Sequence, residues 1–185
     1  MIRLTLAPEP AGFDAAVRQP GLRAIAEMVG VQPLVPRCGR RRQALWGRRE
    51  DIPANKFPDY WTRTLDDLLR EYQRLCAYMS CYIEKVTGMP SVDHMIPKSK
   101  AWDQVYEWKN YRLACLLMNA RKNDLSTILD PCTIQNGWFE LELADFQIKT
   151  RKAFGTKLRK RVEATLRILN QSDCCDLRWD YATDY

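Results

Sequence analysis

The chain carries a single histidine, His94, and nowhere strings together the roughly 20 apolar residues that a membrane span requires. Pro8 and Pro10 interrupt the N-terminal stretch where a secretory leader would hold its apolar core. The expectation is a protein with no membrane part, in the cytoplasm. Disulfide patterning is also missing: the seven cysteines, Cys38, Cys76, Cys81, Cys115, Cys132, Cys174 and Cys175, are odd in number and irregularly spaced. They read as reduced thiols. No internal repeat and no low-complexity tract is present. What is present, 46% hydrophobic and 28% charged residues over 185 positions, excludes the disordered class and fits one functional unit better than two domains.

Acids are absent from two segments. Residues 37–49 hold six arginines and residues 149–161 hold seven basic residues, and outside these segments the 23 acids outnumber the bases. Basic charge concentrated in this way suits a polyanion, because each phosphate contact releases counterions. A solvated helix face plus a flexible linker would give the same pattern. Arg40, Arg41 and Arg42 are the first segment's candidate phosphate contacts.

Apolar spacing divides the chain into three stretches. Residues 1–58 form an N-terminal arm and basic linker, with a short helical pattern at Leu22, Ile25, Ala26 and Val29 that Pro20 and Gly21 precede. Residues 59–130 open with a helix whose stripe runs through Trp61, Leu65, Leu68, Leu69, Tyr72 and Leu75. A strand around Ser91 to His94, a long loop, a strand around Tyr111 to Ala114 and a helix near Leu117 to Lys122 follow. Residues 131–185 hold a hairpin between Trp138 and Ile148, a basic helix from Thr156 to Leu169, and an acidic, aromatic tail. The predicted class is α+β.

The chemistry-bearing stretch reads Val92-Asp93-His94-Met95-Ile96-Pro97-Lys98-Ser99, then Asn110-Tyr111-Arg112-Leu113-Ala114-Cys115, then Met118-Asn119-Ala120-Arg121-Lys122. Hydrolysing a phosphodiester needs an activated water, positive charge at the phosphate and fixed geometry. An imidazole that titrates near neutrality can take the water's proton, and a carboxylate with an amide carbonyl supplies hard oxygen ligands suited to Mg²⁺ or Mn²⁺. Neighbours on a strand face opposite ways, so Asp93 and His94 need a twisted or strand-end setting to address one phosphate.

These residues resemble the HNH, or ββα-metal, endonucleases, whose signature is a strand ending in Asp-His, a loop with Pro and Ser, an Asn before the second strand and an Asn or His on the next helix. The resemblance covers about residues 76–124. It implies a small ββα-metal core flanked by helices and a C-terminal hairpin plus helix, cleaving DNA with one Mg²⁺ or Mn²⁺ per site. It assigns His94 as general base, Asp93 and Asn119 as metal ligands, and Asn110 as a brace for the loop or the histidine. Lys98, Arg112, Arg121 and Lys122 become candidate nucleic-acid contacts. Small proteins of this kind are often effectors of bacterial antiphage or mobile-element systems beside a partner ATPase or sensor protein. The other reading is a noncatalytic nucleic-acid or protein interaction module that keeps the fold.

One departure concerns zinc. Many HNH proteins bind a structural zinc through two Cys-x-x-Cys pairs, and here the matching tetrads are Cys76-Ala77-Tyr78-Met79 and Cys115-Leu116-Leu117-Met118. A thioether is a poor zinc ligand but fills core gaps well. The expectation is that Met79 and Met118 pack in place of a metal, with Cys76 and Cys115 as remnants. A residual site would join Cys81 to Cys76 and Cys115, with no evident fourth ligand. Trp102, Tyr106, Trp108 and Tyr111 are expected to shape the long loop and close the core.

Overall fold

A computed structural model describes residues 1–85 and 87–184. At its centre β1 (Pro90–His94) pairs antiparallel with β2 (Tyr111–Cys115), placing Asp93 opposite Arg112 and His94 opposite Tyr111. Pro90 stands at the first position of its strand, where its missing N–H disturbs the ladder least. The inner residues of both strands are buried, because helices pack against the ribbon.

The N-terminal segment belongs to the core. A π-helical turn, Asp14–Arg18, runs into α1 (Gln19–Met28), so the chain stays helical through Pro20 and Gly21 where a boundary is expected. Pro20 stands in the first turn of α1, where its fixed φ suits the helical backbone. Gly21 has a packing reason: a Cβ there would lie 2.3 Å from the Tyr106 ring. Phe13 meets Trp108 and Tyr111 edge to face at 5.7 and 5.9 Å. One apolar cluster extends from Met1 and Phe13 through Leu68, Tyr78, Leu113 and Met118 to Leu169 and Cys174.

A 3-10 turn, Tyr60–Thr64, leads into α2 (Leu65–Glu71), which ends sooner than the apolar stripe predicts. Gln73 and Arg74 have φ of 49° and 60°, so the chain leaves the helix and Leu75 bridges to Tyr82. After β2, α3 (Leu116–Lys122) begins directly and lies against both strands. A two-residue hairpin, β3 (Glu140–Leu141) with β4 (Ile148–Lys149), precedes α4 (Thr156–Leu169). The acidic tail is also helical, as α5 (Ser172–Asp184), with Cys174 and Arg178 buried.

Among the described residues the fold is mixed α+β, with five α-helices and two small antiparallel sheets. None of these helices is long and apolar enough to cross a membrane.

Candidate active site

The end of β1, the N-terminal part of the following loop and α3 enclose a cleft of about 520 Å³. Asp93, His94, Lys98, Ser99 and Asn119 line it, together with Trp61 from the turn before α2. Asp93 and His94 both line the cleft, although the Asp93 carboxylate itself is turned to buried partners.

His94 is held on three sides. Its Nε2 lies 3.0 Å from the Val105 carbonyl. A carbonyl can only accept, so the ring proton belongs on Nε2 and Nδ1 keeps the lone pair. The Tyr111 hydroxyl donates to the same carbonyl at 2.8 Å, and the rings of Trp61 and Tyr111 pack edge-on against the imidazole at 4.8 and 5.1 Å. Burial pushes the His94 pKa down from 6.5 to about 3; nearby Lys98 and Lys122 add to this and the hydrogen bond to Val105 opposes it. The resting imidazole is neutral.

Asn110 sits behind this wall as a brace. Its Oδ1 accepts from the Ile96 amide at 2.7 Å, and its Nδ2 donates to the carbonyls of Ile96 and Gln104 at 3.0 Å each. It thereby ties the two ends of the loop together without lining the cleft.

Asp93 is differently placed from a solvent-facing ligand. It is 2% exposed, its Oδ1 accepts from Lys122 Nζ at 2.9 Å, and its Oδ2 accepts from the Tyr78 hydroxyl at 2.5 Å. Lys122 is wholly buried and also donates to the His94 carbonyl at 2.7 Å. Burial pushes the Asp93 carboxyl above its ordinary range, while Lys122 and Tyr78 pull against that shift. Asn119 Nδ2 donates to Ser91 Oγ at 3.1 Å and to the Val92 carbonyl at 3.5 Å, fastening α3 to β1.

The donor set therefore tests the divalent cation implied by the HNH resemblance. Both Asp93 oxygens already hold protein donors, and a metal bound to Oδ1 would stand against an ammonium group. As placed, Asp93 does not fit the ligand role. Among the described residues no three His, Cys, Asp or Glu side chains gather so as to hold a metal ion.

Several expected nucleic-acid contacts are located away from the cleft, and two need correction. Lys122 is an interior ion-pair partner, out of reach of a phosphate. Arg112 is likewise buried, donating from Nε and Nη2 to Asp130 at 2.9 and 2.6 Å. In both cases a carboxylate claims the buried cation, Asp93 from the interior and Asp130 from a half-buried position, because an unpaired interior charge is costly. Arg121 is exposed and paired with Asp173. Arg40, Arg41 and Arg42 are exposed on a loop that the Arg42 amide pins to Glu27 at 3.2 Å. Of this group only Lys98 lines the cleft, its Nζ 4.1 Å above the centre of the Trp61 ring.

Four participants are missing from the sequence-based reading: Trp61, Tyr78, Asn123 and Asp124, the last two lining the cleft beyond α3. Asn123 and Asp124 follow Lys122 directly and carry oxygen donors, a signal that was available. Tyr78 lies inside the Cys76–Met79 tetrad, where Cys76 and Met79 draw attention first. Met79 and Met118 are core residues at 3% and 0% exposure. Cys76, Cys81 and Cys115 line one small cavity of about 150 Å³. Tyr106 and Trp108 close the loop onto the N-terminal half, donating to the carbonyls of Pro58 and Ala7 at 2.8 and 2.7 Å. Compared with protein-family models, with curated proteins and with solved structures, the chain matches none.

Proposed function

We propose that this chain is an HNH-type endonuclease that hydrolyses DNA phosphodiester bonds in the cleft at the end of β1, with His94 as general base. The observation that carries the reading is the 3.0 Å contact between His94 Nε2 and the Val105 carbonyl beside that cleft, which assigns the ring proton to Nε2. Nδ1 is the atom left to take the proton of an attacking water. A phosphate bound next to the ring would stabilise the imidazolium and raise its proton affinity from the low resting value. Lys98 supplies a cation on the cleft wall to draw the phosphate in. The exposed Ser99 hydroxyl and the amide of Asn119 add polar contacts for positioning.

Mg²⁺ and Mn²⁺ remain the proposed cofactor class on the strength of the resemblance. Because Asp93 is paired, they enter as variables of the assay and carry no step of the mechanism. A role as effector of an antiphage or mobile-element system, alongside an ATPase or sensor, rests on resemblance as well.

The buried Asp93–Lys122 pair favours a second reading, a noncatalytic nucleic-acid or protein interaction module that retains the fold. Incubating the purified protein with plasmid, linear duplex, single-stranded DNA and RNA, each with Mg²⁺, Mn²⁺ or no added metal, separates the two. Nicked or linearised DNA supports the nuclease. Salt-sensitive binding with every substrate intact under every condition supports the module.

A further inference from the structure

The polar core beneath the cleft holds an ion pair for which the proposed chemistry has no use. Lys122 occupies the last position of α3, with its side chain directed back under β1 to Asp93 Oδ1 and the His94 carbonyl. Both side chains of the pair are shut off from solvent, at 0% and 2% exposure. Tyr78 caps the second carboxylate oxygen, and Arg112, a further cation acting on Asp93, is held by Asp130. The carboxylate is thus neutralised by the chain itself, one positive charge against one negative.

We propose that the Lys122 ammonium is the resident cation of Asp93, standing where the HNH resemblance would put a divalent metal, so that the folded protein does not use Asp93 to bind Mg²⁺ or Mn²⁺. A divalent ion at Oδ1 would have to lose much of its own hydration, displace the ammonium's hydrogen bond and remain beside that positive charge. With Lys122 removed, the same buried carboxylate must be neutralised by a proton or by another cation, so that at pH values where it ionises, uptake of a divalent ion becomes favourable. The proposal concerns cation binding alone and holds whether or not the cleft cuts DNA.

The test is Mn²⁺ binding to metal-free protein, read by electron paramagnetic resonance of the free ion without nucleic acid. Wild type and Asp93→Asn are expected to bind Mn²⁺ alike, Lys122→Met at least about tenfold more tightly, and Lys122→Met/Asp93→Asn to lose that gain. Weaker binding in Asp93→Asn than in wild type, or unchanged affinity in a folded Lys122→Met, overturns the proposal. Crystals of wild-type protein soaked in MnCl₂ give a check that needs no variant. Anomalous density at ligand distance from Asp93 contradicts the assignment, and an intact Asp93–Lys122 contact without such density supports it.

Discussion

Lys122 Nζ, from the last turn of α3, lies 2.9 Å from Asp93 Oδ1 near the end of β1, so one ion pair locks helix to strand out of contact with water. Breaking such a pair from one side leaves a buried charge without compensation. Lys122→Met and Asp93→Asn should each cost about 3–5 kcal/mol, and the double variant should cost at least about 1 kcal/mol less than the sum. Urea denaturation of the four proteins measures this. Strict additivity, or single losses below about 1 kcal/mol, would mean that the pair does not form in solution.

His94 gives the protein a pH dependence of definite sign. Its pKa falls from 6.5 to about 3 on folding, so between those values the unfolded chain binds a proton that the native state refuses. Its neutral burial is compatible with full stability above pH 6.5. As pH drops through the window, stability should decline by up to about 1.4 kcal/mol per pH unit. Asp93, shifted upward, acts with the opposite sign at the acid end. The informative quantity is therefore the difference between wild type and His94→Gln in denaturant titrations from pH 7 to pH 4. A difference that stays flat with pH contradicts the burial of a neutral imidazole.

Phosphate contacts can be separated from structural cations by salt. Lys98 lines the cleft, and Lys98→Ala should weaken DNA binding and reduce the slope of log K against log salt by about one. Arg112, held by Asp130 in the interior, should behave differently. Arg112→Ala should lower the unfolding free energy by about 3 kcal/mol while leaving the salt slope as in wild type. Fluorescence anisotropy on a labelled duplex from low to moderate salt reads both variants, and equal slopes for Lys98→Ala and wild type would remove Lys98 from the interface.

The packing of α1 on the loop depends on one missing side chain. An added methyl at Gly21 would lie 2.3 Å from Tyr106, so Gly21→Ala should destabilise by about 1–3 kcal/mol despite the higher helix propensity of alanine. Gly21→Ala combined with Tyr106→Leu should recover part of that loss. A thermal melt of Gly21→Ala matching wild type would show that α1 does not seat there.

The sequence foretells those elements whose buried face is apolar. β1, β2, α3 and α4 fall within a residue or two of expectation because Val92, Leu113 and Met118, and the stripe Leu158, Val162, Leu166 and Leu169, keep regular spacing. The helix α5 is hidden because its buried face carries Arg178, which donates to the Phe146 carbonyl at 2.6 Å and so breaks the apolar signature. The early end of α2 is equally silent, since Gln73 and Arg74 take positive φ where glycine would have announced it. At the site, the grouping of Asp93, His94 and Asn119 around one cleft follows from strand and helix order. Burial of Lys122 does not, because a lysine three residues past Asn119 reads as a surface cation until its tertiary partner is known.

In the proposed reaction the Nδ1 lone pair of His94 activates water at the cleft. Supercoiled plasmid incubated with wild type and with His94→Ala, at equal concentrations and with folding verified by circular dichroism, tests it most directly. Wild type should nick or linearise the plasmid, and His94→Ala should retain DNA binding but lose at least about a hundredfold in rate. Equal cleavage by the two proteins would contradict it.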